Sequence, residues 1–540
     1  MLPKIMSTTF PLDIESIKRY GIENWYSECS IWPVGEVEFK SIYDHCQDLL
    51  ISAIESADVE IGDLLLVMYK LAIEYSMLLQ SNLVVDRLKK RGHNLSYQDS
   101  TWYYSAIDRQ TDISYGFITR DNLRLWPTMP LYSKRLKGYL GSIKTNFRYQ
   151  KLTKTKNSKL DKKNFCVSPV YPNYFTQRYA AIKGQNVRVI YPYPQLVSNT
   201  NNDNRMMGKI EDATNFLADG LDHISTNSDS RLQKPHKDHV KAITRDSLKS
   251  ALHGVVNMQK VFRSIDDTDI VLAGLGHTYM RMIAVAARRE GHVVVGQSHG
   301  TSVSMQDINH QRMGNLGLVD KYIVPTKGAA KLVINSLSKP PLPARSHTVE
   351  PISLDTKSYV EIWNQNNLHP PPKSIKTIMF IEYPLAQDRL ETALGFWNYQ
   401  LEILLRISEF CKTMGLRTIV KVHPERIPLS KGLYDLYFDD VVTLPFEQVH
   451  QQADAFFMPH LANSPFGLSL LTNKPVFIFE YTLNDVWDQV RNDLRKRCVV
   501  LPTWFGEDGR IMFDQEIFAE NLTKKPGPVD NDFVKQYMFP

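Results

Sequence analysis

From Asp267 onward, short apolar runs alternate with amphipathic stretches at nearly regular intervals. Asp269-Ile270-Val271-Leu272-Ala273 predicts a strand, Tyr279 to Glu290 a helix and Val293-Val294-Val295 a strand. Asp320 to Pro325 adds a strand, followed by a helix through Leu337. A second series begins with a strand at Thr377-Ile378-Met379-Phe380-Ile381 and a helix from about Trp397 to Met414. It continues with strands at 416–422 and 441–444, a short helix from Phe446, a strand at 455–458, a helix from Gly467 and a strand at 475–479. Such alternation predicts parallel sheets, because parallel strands need a crossover helix between them. The expected fold class is α/β, with two Rossmann-like domains facing one another across a cleft.

Upstream the pattern is less regular. Ile42 to Leu50 and Ile61 to Leu79 have helical apolar spacing, 186–191 predicts a short strand, and 208–264 predicts helices broken at Ser225 to Ser230. The run from Leu64 to Leu79 contains Lys70 and Glu74 and falls short of the roughly 20 residues that span a bilayer, so it predicts a buried helix. Prolines cluster at 340–343 and 370–372, marking 341–373 as a linker, since proline continues neither helices nor central strands. The expected organisation is therefore a domain over 1–340, the linker, a second domain over 374–515, and a tail over 516–540.

Composition narrows the picture. A chain of 540 residues with 43% hydrophobic side chains has material for more than one packed core. The first eleven residues lack a sustained apolar region, which predicts no secretory signal. The five cysteines are scattered, with no Cys-x-x-Cys pair, so neither a zinc site nor a disulfide framework is expected and the cytoplasm is the predicted compartment.

The net charge of +6 is concentrated in one place. Residues 134–163 hold eleven Lys or Arg against Asp161, leaving the rest of the chain net acidic. With Tyr139, Phe147 and Tyr149 interleaved, this basic insertion reads either as a contact for anionic membrane lipid or glycan, or as a solvated excursion. No nucleic-acid module accompanies it, so nucleic acid is not an expected partner.

Candidate chemistry gathers at predicted strand ends, where open α/β sheets bind ligands. Lys421-Val422-His423-Pro424 closes one strand: the imidazole can donate to a phosphate oxygen, Pro424 fixes its backbone, and Lys421 two residues earlier adds an ammonium. Asn463, Ser464 and Gly467 stand where a helix begins, a place that favours anions and equally suits a simple cap. Glu382 follows the first strand of the second series and is a candidate general base or nucleophile, while Arg389 in the same loop is suited to a carboxylate. In the first domain His277 and His299 each follow a predicted strand, within Gly276-His277 and Gln297-Ser298-His299-Gly300.

The Lys-x-His-Pro strand end and the later Asn-Ser-Pro-x-Gly loop, set in two facing Rossmann-like domains, resemble the GT-B glycosyltransferases. More narrowly, Lys421 to Pro424 resembles the element found in bacterial sialyltransferases and Kdo transferases that use CMP-activated sugars. The resemblance covers roughly 267–510 and implies that His423 lies against the nucleotide phosphate, with Asn463 and Ser464 matching the Ser/Thr motif and Glu447 standing where ribose or base is held. It implies a metal-independent enzyme without a cofactor, taking a nucleotide sugar and a surface polysaccharide or lipid-linked glycan acceptor, with peripheral attachment to an anionic inner membrane. The catalytic residue is left among Glu382, His277 and His299. Alternatives are a UDP-sugar transferase, a sugar-nucleotide epimerase or a glycerophosphate polymerase on the same architecture, or a non-catalytic membrane-associated scaffold.

Overall fold

The computed structural model describes residues 9–98, 103–110, 165–168, 174–189, 204–228, 231–265, 268–272, 274–298, 304–307, 309–338, 350–354, 357–366, 370–385, 396–424 and 427–539. The basic insertion at 134–163, the prolines at 340–343, His299 and Arg389 lie outside these residues.

Two six-stranded sheets form the frame. The first contains β1 (Phe165–Ser168), β2 (Asn186–Val189), β3 (Asp269–Val271), β4 (Val293–Gln297), β5 (Lys321–Val324) and β6 (Glu350–Ser353), in the order β2-β1-β3-β4-β5-β6. The second contains β7 (Thr377–Ile381), β8 (Arg417–Lys421), β9 (Asp440–Val442), β10 (Ala455–Met458), β11 (Val476–Phe479) and β12 (Val499–Leu501), in the order β9-β8-β7-β10-β11-β12. All pairings in both sheets are parallel. The second order is that of a doubly wound Rossmann sheet, whose chain direction reverses between β7 and β10 and opens a crevice at their carboxyl ends. The α/β expectation is met in both halves.

Aspartates help to set the register. Asp454, just before β10, accepts the Lys376 and Thr377 amides at the start of β7, each at 2.9 Å. Asp439, before β9, accepts Thr418 N of β8 at 2.7 Å, and Asp320, before β5, accepts Val294 N of β4 at 2.8 Å. Each carboxylate satisfies an amide at the amino end of a neighbouring strand, where a one-residue slip would turn every apolar side chain to the wrong face.

A helical layer precedes and partly interrupts the first sheet: α1 (Glu36–Ser56), α2 (Val59–Val67), α3 (Leu71–Lys90), α4 (Asn204–Asn227) and α5 (Lys234–Phe262). The helix expected across Leu64 to Leu79 is two helices with a turn at Met68 to Lys70. Arg281 accounts for the break. Fully buried on α6 (Thr278–Arg289), it donates from Nε to Val67 O at 2.6 Å, and its guanidinium lies 4.4 Å from the Tyr69 ring centroid. A carbonyl at the end of α2 thus finds a partner outside its own helix.

Contacts cross the expected boundaries at 340 and 515. The helical layer straddles both halves: α5 packs on α6, while Trp32 meets Phe396 at 5.2 Å and Trp397 at 5.5 Å, and Asn398 donates to Ser30 O at 3.3 Å. The interval read as linker contains β6 and a helix, α8 (Lys357–Asn366), which follows α7 (Lys327–Ser338). Pro351 is accommodated because β6 is an edge strand. Asn366 then fastens α8 to the second half by donating to Leu471 O at 2.9 Å.

The second half continues through α9 (Trp397–Thr413) and α10 (Ser464–Ser469), and the segment read as tail is folded into α11 (Gln515–Thr523) and α12 (Asp532–Tyr537). Phe518 of α11 sits among Phe410, Phe457, Phe477 and Phe513, and α12 crosses back to pack on α7 of the first half. A further tie joins the loops beyond β4 and β11: Trp487 N donates to Met305 O at 3.1 Å and Asp307 N to Asp485 O at 2.8 Å. Among the described residues no helix is long and apolar enough to cross a membrane, and all five cysteines are buried free thiols.

The α12 crossing depends on Gly328, where an added Cβ would lie 1.9 Å from the Tyr537 carbonyl carbon. Backbone cannot yield as a flexible side chain does, so Gly328→Ala is expected to destabilise the fold by about 1–3 kcal/mol. Differential scanning calorimetry should show a lowered unfolding midpoint for Gly328→Ala and none for Gly527→Ala, since a Cβ at Gly527 meets nothing within 4 Å. Equal midpoints for wild type and Gly328→Ala would show that α12 is not held by this contact.

Candidate functional site

The carboxyl ends of β7, β8 and β10 converge on the crevice of the second sheet, and each is followed within two residues by a polar one: Glu382, His423 and His460. Glu382 comes one residue after β7. It is 1% exposed, with Oε2 accepting the His423 amide at 2.6 Å and Oε1 accepting the Ser430 hydroxyl at 2.8 Å and the Tyr434 hydroxyl at 2.7 Å. Its own amide donates to Lys421 O at 3.1 Å. One side chain therefore binds the β7 tip, the His-Pro turn and the segment leading away from it. The candidate general base or nucleophile lies beneath the loop, enclosed and engaged by three donors.

Burial pushes the Glu382 carboxyl up to about 7, while the His423 amide, the two hydroxyls and the Lys421 ammonium pull it the other way. Lys421 is also buried, and its ammonium donates to Val422 O at 3.0 Å. Desolvation lowers its pKa, opposed by Glu382 and then Glu447. It is thus a cation held below the surface in the field of two carboxylates, and not the exposed phosphate-binding charge expected from the motif. Glu447 is exposed on the one-turn helix Phe446–Val449, and its charge favours that cation. His423 is half-buried at the tip and Pro424 exposed.

The β10 side carries a residue that the strand-end reading passed over. His460 is 1% exposed and stacks on Tyr383, with ring centroids 4.0 Å apart and planes at 23°. Its Nδ1 accepts from Ala462 N at 2.9 Å, so a neutral ring carries its proton on Nε2. The stack joins the loops after β7 and β10 across the point where strand order reverses. The available signal was spacing: His460 stands two residues beyond Met458, as His423 stands two beyond Lys421.

Asn463 is buried, and its side chain accepts Phe466 N at 2.7 Å, capping α10. Ser464 is exposed at the first position of that helix. Gly467 is buried within it and faces the interior, which removes it from the ligand-facing set. The helix has six residues and its cap already takes one of its first amides, so the anion-holding dipole expected there is short and partly satisfied.

On the other sheet, His277 is exposed at the amino end of α6 and stacks on Tyr279 at 5.4 Å. Its loop is braced by Arg281, which donates to Leu275 O at 2.7 Å and Thr278 Oγ1 at 2.9 Å. Gln297 is buried and donates to Thr176 Oγ1 at 2.9 Å, fastening β4 to the helix Tyr174–Ile182. The second sheet thus brings Glu382, Lys421, His423 and Glu447 together at neighbouring strand ends, with Asn463 and Ser464 after β10. His277 belongs to the first sheet.

No family model matches this chain, and no curated protein matches it either.

The elevated Glu382 carboxyl has a defined thermodynamic sign. Because its folded pKa of about 7 lies above the ordinary 4.5, its contribution to stability is full below pH about 4.5 and is lost as pH rises through about 7. Glu382→Gln has no such proton. Urea unfolding of both proteins between pH 4 and 8 should show wild type losing, relative to the variant, on the order of a few kcal/mol across that window. A stability difference independent of pH there would contradict a buried carboxyl with a raised pKa.

Proposed function

We propose that the chain is a glycosyltransferase of the GT-B kind, moving a Kdo-like or nonulosonic acid residue from a CMP-activated donor to a surface polysaccharide or lipid-linked glycan. The observation that carries the reading is the fixed position of His423: a buried carboxylate holds its amide at 2.6 Å, at the carboxyl end of a Rossmann-ordered sheet. That is where a nucleotide phosphate approaches in this architecture.

In the proposed reaction the acceptor hydroxyl attacks the anomeric carbon, and the bond to the phosphate oxygen breaks with its electron pair leaving on CMP. His423 donates to that phosphate, and the exposed Ser464 hydroxyl adds a second donor from the β10 side. Glu447 holds the ribose or base, and Arg389 pairs with the donor's carboxylate. Glu382 acts as a positioning residue through its hydrogen bond to the His423 amide. The acceptor's proton goes to a histidine of the facing sheet, His277 or His299. The enzyme works at the cytoplasmic face of an inner membrane, with the basic segment 134–163 toward anionic lipid.

Purified protein supplied with CMP-Kdo or CMP-sialic acid is expected to release CMP, measured by anion-exchange chromatography. His423→Ala should lower that rate roughly 10²–10³-fold, the usual cost of removing a donor to developing charge. Turnover of UDP-sugars with none of CMP donors would reject the donor assignment. Failure to bind any nucleotide sugar in calorimetry would reject transferase chemistry altogether.

A further inference from the structure

Away from the strand ends, α1, the carboxyl end of α4 and a hairpin formed by Thr503–Phe505 and Ile511–Phe513 enclose a cleft of about 690 Å³. It shares no lining residue with the candidate site, and its volume falls within the range of small-molecule sites. The hairpin turn approaches the start of α1 through two glycines, with an added Cβ at Gly509 placed 3.1 Å from Gly35 Cα.

The lining has two kinds of surface. Val37, Ile42, Ile224 and Phe505 supply apolar faces, and Val37 is 56% exposed and Phe505 36%. Between them stand His45, His223, Asn227, Ser41 and Ser228, groups that exchange hydrogen bonds readily with hydroxyls. His223 and Asn227 are already oriented by a contact of 3.1 Å between Nε2 and Nδ2, and His45 and Ser41 by one of 3.4 Å.

Charge decides the class of ligand. Among the described residues neither lysine nor arginine lines the cleft. Two carboxylates belong to its wall: Glu36 is 3% exposed, and Glu38 is bound in a two-pronged pair by Arg87, at 2.6 and 2.8 Å, while nearby Lys40 pairs with Asp44 at 2.7 Å. An anionic ligand, including any nucleotide or ulosonic acid, would meet two wall carboxylates and, among the described lining residues, no lysine or arginine. With Glu38 paired to Arg87 and Glu36 buried, the wall is a poor attractor for a polyamine. Apolar faces alternating with neutral hydrogen-bonding groups match the surface of an uncharged pyranose, which presents C–H faces and a hydroxyl rim.

We propose that this cleft binds a neutral oligosaccharide segment, separately from the donor site. That the segment belongs to the acceptor glycan rests on the transferase reading. The binding itself does not.

Saturation-transfer NMR on the full chain, with maltotetraose, lacto-N-tetraose and mannotetraose as probes and spermine and CMP as comparators, tests the assignment. At least one tetrasaccharide should show transfer, reduced fivefold or more by Phe505→Ala and by Val37→Arg, the latter a surface change that blocks the mouth. Transfer should survive His423→Ala. Three outcomes would overturn the proposal: no transfer to any of the three sugars, transfer that persists in Val37→Arg with an unchanged unfolding midpoint, or transfer to spermine or CMP that Val37→Arg removes. Sugar binding that holds while CMP donors are not turned over would leave the cleft standing and remove the transferase reading alone.

Discussion

A carboxylate taken out of water persists only where donors replace its hydration, and Glu382 meets that condition by gathering three segments of chain around itself. Its donors differ in kind. The His423 amide can only donate, whereas the Ser430 and Tyr434 hydroxyls can turn and accept. When the carboxyl takes up a proton on Oε1, Oε2 still accepts the amide and a hydroxyl accepts the new proton. Both protonation states therefore keep His423 in place, which explains how the loop tolerates a carboxyl poised near 7.

That anchor is useful only because the sheet around it is fixed. The aspartates preceding β9 and β10 hold the amino ends of β8 and β7, so the carboxyl ends emerge in register at the crevice. The two halves are strapped at both chain ends, by Trp32 against Trp397 on one side and by α12 on α7 on the other. The loops beyond β4 and β11 add a third tie, close to the strand ends themselves. Geometry at the crevice is thus a property of the whole frame and not of one domain.

Much of this frame is readable from local pattern. β7 and β10 match their predicted spans, and β8 and β11 differ at their ends by one residue, since continuous apolar runs bounded by Asp, Gly and Pro leave little freedom. What local pattern cannot hold is long-range: the turn that splits Leu64 to Leu79 depends on Arg281, more than two hundred residues away. Likewise, the tail folds because α12 finds α7. At the site, type and place were legible for His423, but the burial of Glu382 and Lys421 was not. A charged residue at a strand tip reads as exposed unless its partners, here Ser430, Tyr434 and Glu447, are known to converge on it. Strand order, too, is invisible in sequence, and it is strand order that brings Tyr383 beside His460.

The two strand-end histidines are held in opposite ways. For His423 the structure fixes the main chain, through the amide bound to Glu382, at a half-buried tip. For His460 it fixes the ring itself, by a stacked tyrosine on its face and an amide on Nδ1. A ring whose Nδ1 already accepts a hydrogen bond gains a proton only by breaking that bond, so His460 is biased toward the neutral tautomer with Nε2–H. The crevice is consequently flanked by one imidazole with a set tautomer and one with a set position. The stacked ring keeps the β7 and β10 loops together, while the anchored amide keeps the His-Pro turn on the β7 tip.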